Sequence, residues 1–183
     1  DAGYVVAGVD RSPAMIDLAR SRVPAAELTV GSVYDLEPRT SVAVTAVGEV
    51  FNYLPVPADT TALLRLFRRV HGALEPGGLF LFDLLEARAD TDVYAGSTER
   101  RGEGWRVRAA TRWSAEGPAV IREIRTELDD GRTSREVHRC RLLDVDDVCA
   151  ELEGVGFRVE RRPGYGPEEP LPGPRSVLLA VRE

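Results

Sequence analysis

A chain of 183 residues is long enough for one domain with a real core, and 43% hydrophobic with 30% charged residues is ordinary for a soluble globular fold. The formal net charge is −6, with Arg abundant and Lys absent, which speaks against nucleic acid as a partner because phosphate binding needs a clustered basic surface. No apolar run reaches membrane-spanning length and no signal peptide is visible, so no membrane partner is expected and the cytoplasm is the expected location.

The chain opens on the stretch around which the rest is organised, residues 4–20. Val5, Val6 and Val9 make an apolar, β-branched run that ends in Asp10. Ser12 suits a helix N-cap and Pro13 the first helical position. Met15, Leu18, Ala19 and Val23 then give one apolar helix face. The pattern predicts a buried strand, a tight turn and a helix, with Asp10 at the carboxyl end of the strand. Open α/β sheets bind their ligands at that end, and a carboxylate there can accept hydrogen bonds from both hydroxyls of a ribose. The alternative is an Asp that only caps the following helix.

A second short strand spans residues 28–30 and leads into a loop, Gly31-Ser32-Val33-Tyr34-Asp35-Leu36. Residues 42–47 read as a strand buried on both faces, running into Gly48, Glu49, Val50, Phe51, Asn52 and Tyr53. Asp59 or Thr60 caps a helix with the stripe Leu63, Phe67, Val70 and Leu74, which Pro76-Gly77-Gly78 ends as a turn. The next strand, residues 79–82, ends in Asp83. Strand and helix alternate to this point, which predicts a parallel sheet covered by helices.

The rhythm then changes. Residues 105–113, 120–128 and 134–142 alternate with period two and are separated by Glu116-Gly117-Pro118 and Asp129-Asp130-Gly131. This predicts a three-stranded antiparallel meander, an insertion over residues 104–143. Trp105, Val107, Ala109, Thr111 and Trp113 share its inner face, and Arg106, Arg108 and Arg112 its outer one. Asp144 and Asp147 open a helix with the stripe Val148, Leu152 and Val155. A strand at 157–160, a Pro/Gly-rich loop at 161–176 and a last strand at 177–181 complete one domain, residues 1–183. Cys140 and Cys149 have no metal or redox spacing, so free thiols and no metal are expected.

The Gly8-Val9-Asp10 strand end, the Leu74-Glu75-Pro76-Gly77-Gly78 turn into a strand, and the closing helix, Gly-Phe strand, long loop and final strand together resemble class I S-adenosylmethionine-dependent methyltransferases. The meander between Asp83 and Asp144 resembles the small-molecule branch. The resemblance implies a mostly parallel Rossmann-like α/β sheet with an antiparallel last strand. It implies S-adenosylmethionine as cofactor and a small molecule as methyl acceptor, through N or O, with a homodimer as a possible assembly. Asp10, beside Arg11, would grip the ribose hydroxyls, and Ser32 and Val33 would lie against the adenine. Serine stands at Ser32 where the family usually has an acid. Gly48, Glu49 and Asn52 would line the methionine part. The family's first strand and glycine-rich loop, which should precede Tyr4, are absent from the sequence. That strand belongs between the strand at Val5 and the strand at Val42, so the two should not pair directly. The expectation is that the protein continues upstream, that a partner chain supplies the strand, or that cofactor binding is lost.

Methyl transfer from a sulfonium is governed by alignment, and a base matters when the acceptor is a hydroxyl or a protonated amine. His138 is the candidate base if the inner face of the meander covers the pocket; the alternative is a histidine bonded within the sheet. Tyr53 either orients the acceptor or acts as the base. Asp83 either binds an amine substrate or only caps the next turn. Trp105, Trp113 and Tyr165 either pack or stack on substrate. Glu49 either meets the cofactor's amino group or is structural. His71 reads as a helix-end residue. Two other functions fit parts of the pattern: an inactive methyltransferase-like binding or assembly subunit, and a nicotinamide-dependent oxidoreductase.

Overall fold

The computed structural model describes residues 3–53, 60–90, 92–166, 168–171 and 173–183. Asp59, offered as a helix cap, lies outside them. The chain order is β1 (Ala7–Asp10), α1 (Pro13–Arg22), β2 (Glu27–Val30), β3 (Ser41–Ala46), α2 (Thr60–Ala73) and β4 (Leu74–Leu85). The strands of the insertion follow: β5 (Gly96–Gly102), β6 (Trp105–Trp113), β7 (Ala119–Leu128) and β8 (Thr133–Arg141). The chain closes with α3 (Val145–Val155), β9 (Phe157–Arg162), a small hairpin of β10 (Gly164–Gly166) and β11 (Glu169–Pro170), and β12 (Arg175–Arg182).

β3 and β4 are parallel, and β12 runs antiparallel to both β4 and β9, giving the order β3-β4-β12-β9. The antiparallel last strand is therefore as the resemblance implied. β4 starts earlier than expected, at Leu74, and takes the Pro76-Gly77-Gly78 turn into itself: Ser41 faces Leu74, but Ala43 already faces Leu79. Gly78 is required there, because a Cβ would lie 2.7 Å from the carbonyl oxygen of Glu75.

β1 and β2 form a separate parallel pair, so the single sheet that the pattern implied is split. Each of β1 and β3 has one strand neighbour among the described residues, and neither pairs with the other. Two expectations are corrected here. β3 is not buried on both faces: Val44 and Ala46 pack on the core, while Ala43 and Thr45 on the other face are exposed. On α1, Ile16 is the buried residue, and Met15, Leu18 and Val23 of the expected apolar face are exposed. A helix face is buried only where a sheet lies against it. The β1–β2 pair, four residues per strand, offers little surface.

The core proper lies between the four-stranded sheet and helices α2 and α3. Phe51, Phe67, Phe80 and Phe82 meet edge-on or tilted within it, with ring centroids 4.6–6.3 Å apart. Each such burial is worth about 1.5–3 kcal/mol, so this cluster anchors the fold. His71, at the end of α2, packs edge-on against Phe157. A second cluster, Leu85, Tyr94, Val120, Cys140 and Leu142 with Tyr53 and Trp113 against it, joins the insertion to the end of β4.

The insertion has four strands, not three, in the order β5-β6-β7-β8, and begins at Gly96. β5 escaped the pattern because GSTERRG is exposed along its whole length and has no apolar alternation. β5 is an edge strand whose charge protects it from further pairing.

Candidate active site

Two groups of residues gather at the carboxyl ends of the parallel strands. The first is at β1 and β2. Asp10 ends β1, exposed, and one carboxylate oxygen accepts the Ser12 N–H at 2.7 Å. Its other oxygen has no partner among the described residues. Ser12 caps α1 as expected, accepting from Met15 N–H. Arg11 is exposed beside Asp10. The Ser32 hydroxyl accepts the Tyr34 N–H at 3.2 Å and starts a short 3-10 turn, Val33–Asp35. The Tyr34 hydroxyl reaches the Phe51 carbonyl at 3.4 Å, which ties this group to the next. Burial pushes the Tyr34 phenol well above its ordinary range, and the Arg141 guanidinium opposes that shift.

The second group is built around Asp83, at the end of β4's apolar run. Its two carboxylate oxygens accept the backbone N–H groups of Gly48, at 2.6 Å, and Glu49, at 3.0 Å. Gly48 has φ 94° and Glu49 φ 61°, so the turn leaving β3 is left-handed twice. Two charge-assisted bonds hold a conformation that a non-glycine residue rarely adopts. Tyr165, from the β10 strand, stands near Asp83; burial, and then that carboxylate, drive its phenol far up. Asp83 thus holds the turn that leaves β3, not the next turn along the chain.

Glu49 is buried at 5% exposure and carries two arginines. Arg122, on β7, donates to one oxygen at 2.7 Å, and Arg175, at the start of β12, donates to the other. Arg122 also donates to the Tyr53 hydroxyl at 2.8 Å. Tyr53 meets His138 edge to face, with ring centroids 5.5 Å apart. His138 stands directly across from Arg122 in the β7–β8 ladder, and its Nε2 lies 3.0 Å from Glu136. Burial, then the neighbouring Cys140, pushes the Tyr53 phenol up to about 12. It is protonated at neutral pH and suits a donor better than a base.

Asn52 is fully buried. Its amide donates to the carbonyls of Leu85, at 2.8 Å, and Arg141, at 2.7 Å, and accepts the Leu85 N–H at 2.9 Å. Its place at a strand end is as expected, but its side chain pins the loop to β4 and β8. Trp113 packs in the second cluster, tilted on Tyr94. Trp105 sits at the β5–β6 turn over Gly102, six residues or about 20 Å of extended strand from the position opposite Arg122. The structure therefore brings Gly48, Glu49, Tyr53, Asp83, His138 and Tyr165 together and leaves Trp105 apart. Sequence reasoning missed Arg122 and Arg175. Arg122 left a signal: it is a charge on the period-two face of Val120 and Ile124. The residues present fit S-adenosylmethionine in two respects: Asp10 keeps a carboxylate oxygen for hydroxyls, and a Cβ at Gly48 would meet open space, so the backbone there is approachable. No cluster of metal-ligating side chains occurs among the described residues, and no helix among them is long and apolar enough to cross a membrane.

Residues 1–82 match the model of a methyltransferase domain family. A protein of Geobacillus sp. (strain WCH70), whose name assigns it provisionally to the methyltransferases, is 25% identical over 170 residues, 86% of this chain and 66% of its own length. The chain thus spans about two thirds of that relative. The S-adenosylmethionine-bound CalS10, an amino pentose methyltransferase of Micromonospora echinaspora, superimposes with a TM-score of 0.76 and 23% identity over 98% of this chain and 74% of its own. The sugar N-methyltransferase KedS8 of Streptoalloteichus sp ATCC 53650 does so with a TM-score of 0.74 and 25% identity over 97% and 70%.

Proposed function

We infer that this chain is a class I S-adenosylmethionine-dependent methyltransferase and that it methylates a nitrogen of a small, hydroxylated amine such as an amino sugar. The observation that carries this reading is the position of the insertion. Strands β7 and β8 bring Arg122 and His138 onto Tyr53, beside the turn that leaves β3. The names of CalS10 and KedS8 support the acceptor class.

In this reading Asp10 takes the ribose hydroxyls, Ser32 and Val33 the adenine, and the Gly48–Glu49 backbone the methionine end. Bound S-adenosylmethionine supplies an electrophilic methyl group. The chain's own residues do the rest. Tyr53 orients the acceptor through its hydroxyl. His138, held by Glu136, takes the proton that an ammonium must lose before its lone pair can attack. Glu49 and Asp83 fix the loop that carries Tyr53. Rigid placement of this kind is worth several kcal/mol of barrier. The domain includes residues 96–143 as a cover for the acceptor. Direct pairing of β1 with β3 would have favoured a non-catalytic reading, and these strands do not pair.

The test is S-adenosylhomocysteine release from S-adenosylmethionine with a panel of amino sugars, beside calorimetric binding of S-adenosylhomocysteine and NAD. Binding of the first and not the second is expected. Asp10→Ala should weaken it about tenfold or more, because charge-assisted hydrogen bonds are worth ~1.5–3 kcal/mol. An unchanged dissociation constant would sink the ribose assignment. Binding without turnover of any amine would return the non-catalytic reading.

A further inference from the structure

We propose that Arg122 is a positioning residue that fixes the Tyr53 hydroxyl as a hydrogen-bond donor to an uncharged oxygen of the methyl acceptor. The acceptor half rests on the methyl-transfer reading above; the placement of Tyr53 does not.

Arg122 has little freedom. Its side chain is 17% exposed, and one end of its fork is held by a carboxylate only 6% exposed. Arg175 holds that carboxylate from the other side, and Asp83 fixes the backbone beneath it. The other end of the fork therefore arrives at Tyr53 in one place. His138 packs against the same ring, so the ring is held by one contact and the hydroxyl by another.

A phenol oxygen has two lone pairs and one proton. A guanidinium can only donate, so Arg122 occupies a lone pair and the proton of Tyr53 must point elsewhere. Cys140 lies in the same cluster, and a thiol sulfur is a weak acceptor. An oxygen of a ligand is a better one. Arg122 also places a positive charge next to the hydroxyl, which repels an ammonium and strengthens donation to a neutral oxygen. The geometry thus selects acceptors that carry a hydroxyl, ether or carbonyl oxygen beside the reacting nitrogen. A second ammonium at that place is disfavoured.

The placement is tested by NMR on protein labelled with ¹³C at tyrosine Cζ, the Tyr53 signal being assigned with Tyr53→Phe. Arg122→Met should move that signal at pH 7, and Arg122→Lys, which keeps the charge and one donor, should restore most of it. A Tyr53 signal indifferent to Arg122→Met, in protein whose circular dichroism is unchanged, overturns the proposal. If Arg122→Met does not fold, a Tyr53 signal in Arg122→Lys moved as far as in urea-unfolded protein overturns it equally.

The acceptor half is read from kcat/KM with glucosamine and cyclohexylamine as paired probes. Arg122→Met and Tyr53→Phe should each lower the value for glucosamine by about ten- to a hundredfold, and the double variant no further. For cyclohexylamine, which has no oxygen, the loss should be at least about fivefold smaller. Additive losses, equal losses on both probes, or turnover of neither overturns the acceptor assignment. An Arg122-dependent Tyr53 signal without any methyl transfer overturns the activity and leaves the placement standing.

Discussion

Asn52 shows how a single amide can hold a loop and two strands together. Three of its hydrogen bonds go to backbone groups of Leu85 and Arg141, 33 and 89 residues away. Asn52→Ala would leave buried donors and acceptors without partners, each costing ~1–3 kcal/mol. Urea denaturation should show a loss of about 2–4 kcal/mol on that basis, and a loss below about 0.5 kcal/mol would contradict the pinning role. Asn52 was legible as a strand-end residue and illegible as a pin, because the sequence gives no direction to a side chain in a loop. Glu49 is similar. Its value depends on Arg122 and Arg175, 73 and 126 residues on, and only the folded sheet order brings them near. Asp10 was easier, since a carboxylate after an apolar run is fixed by the strand itself.

The insertion is held by two different means. Its end nearest the core is apolar: Val120 and Cys140 are fully buried and Trp113 packs beside them. Its far part is laced by charge on the exposed face. Arg108 and Arg101 hold Glu99 down to about 2, and Arg135 holds Glu123 to about 2. Both carboxylates have folded pKa values below the ordinary 4.5. Their stabilising effect is therefore complete above about pH 4.5 and is lost as pH falls towards 2. Salt screens such exposed pairs, so the effect should be small and should weaken in 1 M NaCl. Fluorescence of Trp105 and Trp113 during acid titration should change in that window, and Glu99→Gln with Glu123→Gln should flatten the change. An identical titration in the double variant would show that other carboxylates govern the acid limb. Period-two alternation made β6, β7 and β8 legible, whereas β5 carries its pairing in backbone alone.

Across the whole molecule, burial divides the chain unevenly. The four-stranded sheet with α2 and α3 contains the phenylalanine cluster and nearly all of the fully buried apolar side chains. The β1–α1–β2 unit contains one buried residue, Ile16, and leaves Tyr4, Val5, Val6, Met15, Leu18, Val23 and Val30 exposed. Its ties to the rest include the Arg39–Glu27 fork at 2.6 and 2.7 Å and the Tyr34 hydroxyl on Phe51. Local opening is easiest where few apolar contacts must be given up. The unit that carries Asp10 should therefore open before the unit that carries Tyr53 and His138. Hydrogen exchange on this 183-residue chain should find the amides of β1 and β2 unprotected well before those of β4 and β12. S-adenosylhomocysteine, if it bridges Asp10 and the Gly48 turn, should slow exchange in β1 and β2 far more than in β4, because a ligand stabilises most what opens most readily. Equal protection of β1 and β4 in the free chain would mean that the exposed valines are covered in solution. A ligand effect confined to β4 would place the cofactor away from Asp10.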